Sequence, residues 1–151
     1  MLQDFSNLSN NSTADVYGGF GGGQTTANIA VADPVDANNT VRQVTVTGGG
    51  DVWKGIFMRP QTYYMDLTAN QTVSLKFYSS TAIHLRGITQ GGQSGQATID
   101  DAANTVAHKG SGWETLSFTF TGATGEWSEL AIFLCFIQDS KGYFFLHQPL
   151  I

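Results

Sequence analysis

Apolar and polar residues alternate with a period of two over much of this chain. In "TVSLKFYS", residues 72–79, Val73, Leu75 and Phe77 fall on one side, and Ser74, Lys76 and Tyr78 on the other. "WETLSFTFTG" repeats the pattern, with Leu116, Phe118 and Phe120 set against Thr115, Ser117 and Thr119. Such alternation predicts strands with one face in a core and one in water. "VRQVTVT", "AIHLRGIT" and "GQATID" are shorter examples. "ELAIFLCFIQ" is apolar on both sides, which suits a central strand covered above and below. A helix is the alternative there, but its β-branched and aromatic content and the flanking Gly125 and Gly142 favour a strand.

Turn signals separate these runs: "GGFGGG", "ADPVDANN", "TGGGD", "TQGGQSGQ", "HKGSG" and "TGATGE". No window of a dozen residues carries a helical period, although "DDAANTVAH" has room for one helical turn. About ten short strands at this spacing predict an all-β fold, a two-sheet antiparallel jelly-roll β-sandwich forming a single domain over residues 1–151. The apolar ending "KGYFFLHQPLI" reads as a closing strand, hairpinned to "AIFLCFIQ" through "DSKG", with pairing that stops near Pro149.

Composition narrows the function. Charged residues make up 13% of the chain, against about 25% in an average soluble domain. The net charge of −5 and scattered cations exclude a nucleic-acid partner. No segment approaches a membrane span, so no membrane insertion is expected. The N-terminus has neither a basic leader nor an apolar run, so no signal peptide is expected. The single Cys135 reads as a small buried hydrophobe. His84, His108 and His147 lack metal-ligand spacing, and Asp100-Asp101 with Glu114 make a poor catalytic pair, because Asp100-Asp101 sits in a turn. "GGFGGG" lacks the Lys and helix of a phosphate loop. No enzyme is expected.

Several segments, in order, resemble the jelly-roll carbohydrate-binding modules appended to bacterial polysaccharide hydrolases: "LQDFSN", "YGGFGG" followed by "ANIAVADP", "VWKGIFMRP", "LTANQTVSLKFYSS", "IHLRGIT", "GSGWETLSFTFTG" and "KGYFFLHQPLI". The resemblance implies a glycan groove on the outer face of a sheet, with aromatic rings for stacking and polar groups for the sugar hydroxyls. On the outward positions of two strands taken as neighbours, Ser74, Lys76, Tyr78, His84 and Arg86 would line it, with Trp53 a nearby aromatic and Gln90 on the adjacent loop; an ordinary solvated sheet face is the competing interpretation. Trp113 and Trp127 flank turns and are expected to seal the ends of the core. The family's closing Asp pair, which helps to hold a structural calcium, is replaced here by His147 and Gln148. Only Asp4 and the carbonyl of Gln148 remain as calcium ligands, so no cofactor is expected and calcium is disfavoured.

A leaderless chain starting at its own Met with no catalytic neighbour also fits a phage capsid decoration, cement or attachment protein on the virion surface. There an apolar patch of Phe57, Met58, Tyr63 and Tyr64 beside Trp53 would grip other virion or surface proteins. This virion setting is the first expectation. A glycan-binding module of a secreted, extracellular polysaccharide-degrading enzyme is the alternative.

Overall fold

In the computed structural model, residues 15–21, 24–26, 31–46, 53–60, 64–91, 98, 104–134 and 142–150 are described. Among these residues thirteen strands run in the order β1 (Asp15–Phe20), β2 (Gln24–Thr26), β3 (Val31–Ala32), β4 (Thr40–Val46), β5 (Gly55–Pro60), β6 (Met65–Asp66), β7 (Thr72–Ser79), β8 (Ile83–Gln90), β9 (Thr105–His108), β10 (Gly112–Thr119), β11 (Glu126–Trp127), β12 (Glu129–Phe133) and β13 (Gly142–Leu150). There is no helix among the described residues.

All strand pairs are antiparallel, in a five-stranded sheet ordered β1-β5-β12-β8-β9 and a second sheet ordered β10-β7-β13-β4-β2, onto which β3 pairs at β4. Strands β6 and β11 form a small ribbon. The two-sheet sandwich predicted from the alternation is therefore present. Val73, Leu75 and Phe77 of β7 and Leu116 and Phe118 of β10 point inward. They meet Ile56 of β5, Leu85 of β8, and Leu130 and Ile132 of β12 in one hydrophobic cluster. Gly87 lies against the Phe118 ring so closely that a β-carbon would sit 2.6 Å from Cδ1, which is how the two sheets approach at that point.

Strand β12 is central, as its two-sided apolar pattern implied: Leu130 and Ile132 face the core, while Ala131 is buried on the opposite face. The expected hairpin with the last strand is not formed. β13 enters the other sheet between β7 and β4. Its pairing with β4 ends at Leu146 opposite Arg42, and its pairing with β7 slips between His147 and Pro149. Proline lacks the amide proton that an unbroken ladder needs, and a bulge beside it restores the register.

Two polar side chains join the sheets along their shared edge. The Asn104 backbone carbonyl accepts from the Gly87 amide of β8 (3.0 Å), while its side-chain oxygen accepts from the Thr119 amide of β10 (2.8 Å). His108 is fully buried; its Nδ1 accepts from the Gly110 amide (2.9 Å), which leaves Nε2 to donate to the Phe77 carbonyl (3.1 Å). Neither role was visible in the sequence, where both residues sit in polar turn-like stretches.

Asp33 organises the loop before β4. Its carboxylate accepts from the amides of Val35 (2.8 Å) and Asp36 (3.4 Å), from Asn39 Nδ2 (3.0 Å) and from Trp113 Nε1 (3.0 Å). Burial opposes ionisation, but these donors together hold its carboxyl below the ordinary value of 3.8. A lowered native pKa stabilises the fold above the unfolded value, and that contribution disappears as pH falls through the native one. Asp33→Asn is expected to lower unfolding free energy at pH 7 by about 1–3 kcal/mol. In urea titrations the gap to wild type narrows as the pH drops below about 3.8.

Candidate functional site

The outer face of the five-stranded sheet is a layer of aromatic rings bordered by charged and amide groups. Its strands present successive cross-strand rows, because the outward positions of neighbouring strands lie opposite one another. One row runs Phe20, Gly55, Phe133, Arg86 and Thr105; the next runs Gly18, Phe57, Ala131 and Ile88. Beyond these, Glu129 lies opposite Gln90 and forms an ion pair with Arg59.

Two glycines make room for the rings. A β-carbon on Gly55 would collide with the Phe20 ring, and one on Gly18 would collide with the Phe57 ring. Each ring thus lies across a bare stretch of backbone, flat to the sheet instead of standing off it. Phe20 also meets Phe133 edge-on, with centroids 5.0 Å apart. Trp53, just before β5, stacks over Phe20 with a centroid distance of 6.3 Å and planes 13° apart. At 51% exposure Trp53 is the most open aromatic side chain described, although it leans on a ring beneath it.

Polar chemistry rims this floor. The Arg59 guanidinium lies 4.3 Å from the Phe57 ring centroid, which adds a cation–π contact to its ion pair. Glu129 is buried, so the pair is held in place and the carboxylate is already engaged. Arg86 is half-buried beside Phe133, Gln90 is half-buried beside Glu129, and His84 is exposed at the far end of β8.

The residues named from sequence are divided by this architecture. Trp53, His84, Arg86 and Gln90 belong with the five-stranded sheet, Trp53 stacking on its outward Phe20 and the other three taking outward positions on β8. Ser74, Lys76 and Tyr78 belong to the outer face of the other sheet, so these residues do not form one groove. The cause lies in residues 79–82. The buried Ser79 hydroxyl donates to the Thr81 carbonyl (2.7 Å) and accepts from its amide (3.0 Å), in a side-chain turn that carries the chain from one sheet to the other.

Of the expected apolar patch, Met58 is buried in the core opposite Leu130, and Phe57 is half-buried beneath Arg59. Tyr64 is exposed, and Tyr63 lies outside the described residues. Asp4 also lies outside them, and Gln148 is described through its backbone only, at the bulge in β13. Among the described residues no three His, Cys, Asp or Glu side chains are grouped to hold a metal. Trp127 is buried in the core as expected, whereas Trp113 faces outward from β10 and is tied to Asp33. Phe20, Phe133 and the Arg59–Glu129 pair were not anticipated; the glycines of "YGGFGG" were the available signal, since they clear space for rings.

No protein-family model matches the chain. No curated protein sequence matches it either. Solved structures do. The family 11 carbohydrate-binding module from Clostridium thermocellum, in complex with a β-1,3-1,4-mixed-linked tetrasaccharide, superposes with a TM-score of 0.54 at 14% identity, covering 100% of this chain and 94% of that one. This chain has a carbohydrate-binding-module-like jelly-roll fold. The CBM22-1 xylan-binding domain from Paenibacillus barcinonensis Xyn10C matches such a jelly roll with a TM-score of 0.52 at 15% identity, covering 95% and 88% of the two chains. The K2 cleaved adhesin domain of Lys-gingipain does so with a TM-score of 0.55 at 10% identity, covering 99% and 96%. Among the described residues no helix is long and apolar enough to cross a membrane.

Proposed function

We propose that this jelly roll is a non-catalytic glycan-binding module that holds a linear β-linked polysaccharide across the outer face of its five-stranded sheet. The observation that carries this reading is the exposed Trp53 stacked on Phe20, above a sheet surface cleared by Gly18 and Gly55. A flat π surface accepts the C–H face of a pyranose, and Arg86, Gln90 and the Arg59–Glu129 pair supply donors and acceptors for equatorial hydroxyls. The fold likeness supports the same reading, because two of the matched structures are named for a xylan-binding domain and a complex with a β-1,3-1,4-mixed-linked tetrasaccharide. The lack of catalysis is supported by the two buried carboxylates among the described residues: Glu129 is committed to Arg59 and Asp33 to the loop it caps. Glycoside hydrolysis needs two carboxyl groups flanking one bond.

Affinity electrophoresis through gels containing mixed-linkage β-glucan or xylan tests the reading. Retardation by at least one of these polymers is expected, without release of reducing sugar. Unretarded migration in both gels contradicts it.

A second reading gives the same aromatics a protein partner and places the module on a virion surface. Trp53 and Tyr64 are the exposed rings it would use. Co-sedimentation with particles tests this setting, and its loss on Trp53→Ala with no glycan binding by the wild type would favour it over the first reading.

A further inference from the structure

We propose that the outer face of the six-stranded sheet is a second, separate binding site, and that its ligand is a uronic-acid-containing glycan. The face is made by β7 and the edge strand β10, paired in unbroken register from Thr72–Thr119 to Ser79–Gly112. Its outward residues are Thr72, Ser74, Lys76 and Tyr78 on one strand and Trp113, Thr115, Ser117 and Thr119 on the other. At about 3.3 Å per residue, Trp113 to Thr119 spans about 20 Å, room for several sugar units in a row.

One end of this track is aromatic and held still. Trp113 meets Tyr78 edge-to-face at 5.6 Å and 69°, and both rings are partly exposed. Trp113 Nε1 donates to Asp33, whose carboxylate is buried and bonded to its own loop. The indole is thereby fixed in orientation by the loop between β3 and β4. Preorganised rings of this kind lose little freedom when a sugar stacks on them.

The rest of the track is hydroxylic: Thr72 with Thr119, and Ser74 with Ser117, share hydrogen bonds of 2.8 Å across the strands. In its middle stands exposed Lys76, opposite Thr115. Among the described residues its ammonium has no ion-pair partner, and no carboxylate shares the outward positions of β7 and β10. In a chain of net charge −5, a cation flanked by hydroxyls on β10 and opposite His147 of β13 selects an anionic ligand group. A uronate supplies both parts, a pyranose face for the rings and a carboxylate for Lys76. The opposite face differs in having its one described carboxylate and Arg59 already paired.

Isothermal titration of the Trp53→Ala protein with trigalacturonate tests this site with the first one weakened. Saturable binding is expected, weakened about tenfold or more by adding Lys76→Gln, by adding Tyr78→Ala, or by raising salt from about 0.05 to 0.5 M. Lys76 is exposed and has no ion-pair partner among the described residues, so its substitution leaves the fold intact, which circular dichroism verifies. No binding of trigalacturonate, binding unaffected by Lys76→Gln, or equal binding of neutral cellotriose would overturn the proposal. Because Trp53→Ala weakens the first site while Lys76 and Tyr78 lie on the other sheet, the response to Lys76→Gln and Tyr78→Ala separates these outcomes from glycan binding on the five-stranded sheet.

Discussion

Phe118→Ala is expected to lower the unfolding free energy by about 3–5 kcal/mol, as loss of a fully buried aromatic does. Phe118 has no exposed surface, and its ring closes against Gly87 of the opposite sheet. Deleting it opens a cavity where the two sheets come closest, and neither sheet can collapse into the space without breaking its ladder. Domains of this size are stable by about 5–15 kcal/mol in total, so the variant should sit near the edge of folding. One residue away on β10, Ser117 points outward and, among the described residues, bonds the Ser74 hydroxyl, so Ser117→Ala should change stability by less than about 1 kcal/mol. Urea unfolding of the pair measures the difference. Equal costs would mean that β10 does not present alternate faces to core and water.

Trp53→Ala is expected to reduce affinity for the bound glycan by about tenfold or more while leaving the fold in place. Interface energies concentrate in a few aromatic anchors, and Trp53 is the ring on this face that a ligand reaches first. Its contact with Phe20 is a single aromatic stack, worth about 0.5–1.5 kcal/mol, so its loss should lower thermal stability only slightly. Phe20 then becomes the exposed surface of a shallower platform, which is why the loss falls on affinity and not on folding. Titration calorimetry with the polymer that retards the wild type gives the ratio. Unchanged affinity would move the binding face elsewhere.

What could be read in the sequence was the facing of strands, not their neighbours. A period of two tells which side of a strand meets the core, and Phe77, Phe118 and Leu85 are inward accordingly. It says nothing about which sheet a strand joins, because that choice is made by packing between distant segments. β7 and β8 are separated by three residues and looked like a pair, yet the Ser79 turn carries the chain across the sandwich. The two candidate groups, Lys76 with Tyr78 and His84 with Arg86, were therefore merged although they belong to opposite outer faces. The same limit explains β13, whose short connection to β12 suggested a hairpin while its partners are β7 and β4. Trp53 was readable as a candidate from its setting, and its ring is exposed. Phe20 and Phe133 were not, since an outward phenylalanine and a core one look alike until a glycine opposite makes space for the ring.

The most direct measurement is an amide and indole NMR titration of the wild-type protein with a β-1,3-1,4-linked tetrasaccharide. The predicted result is saturable shifts at the Trp53 indole and at the Phe57, Arg86 and Gln90 amides, with those of β7 and β10 unmoved. Shifts restricted to β7 and β10, or none at millimolar ligand with this sugar and with xylotetraose, would contradict the assignment of glycan binding to the five-stranded sheet.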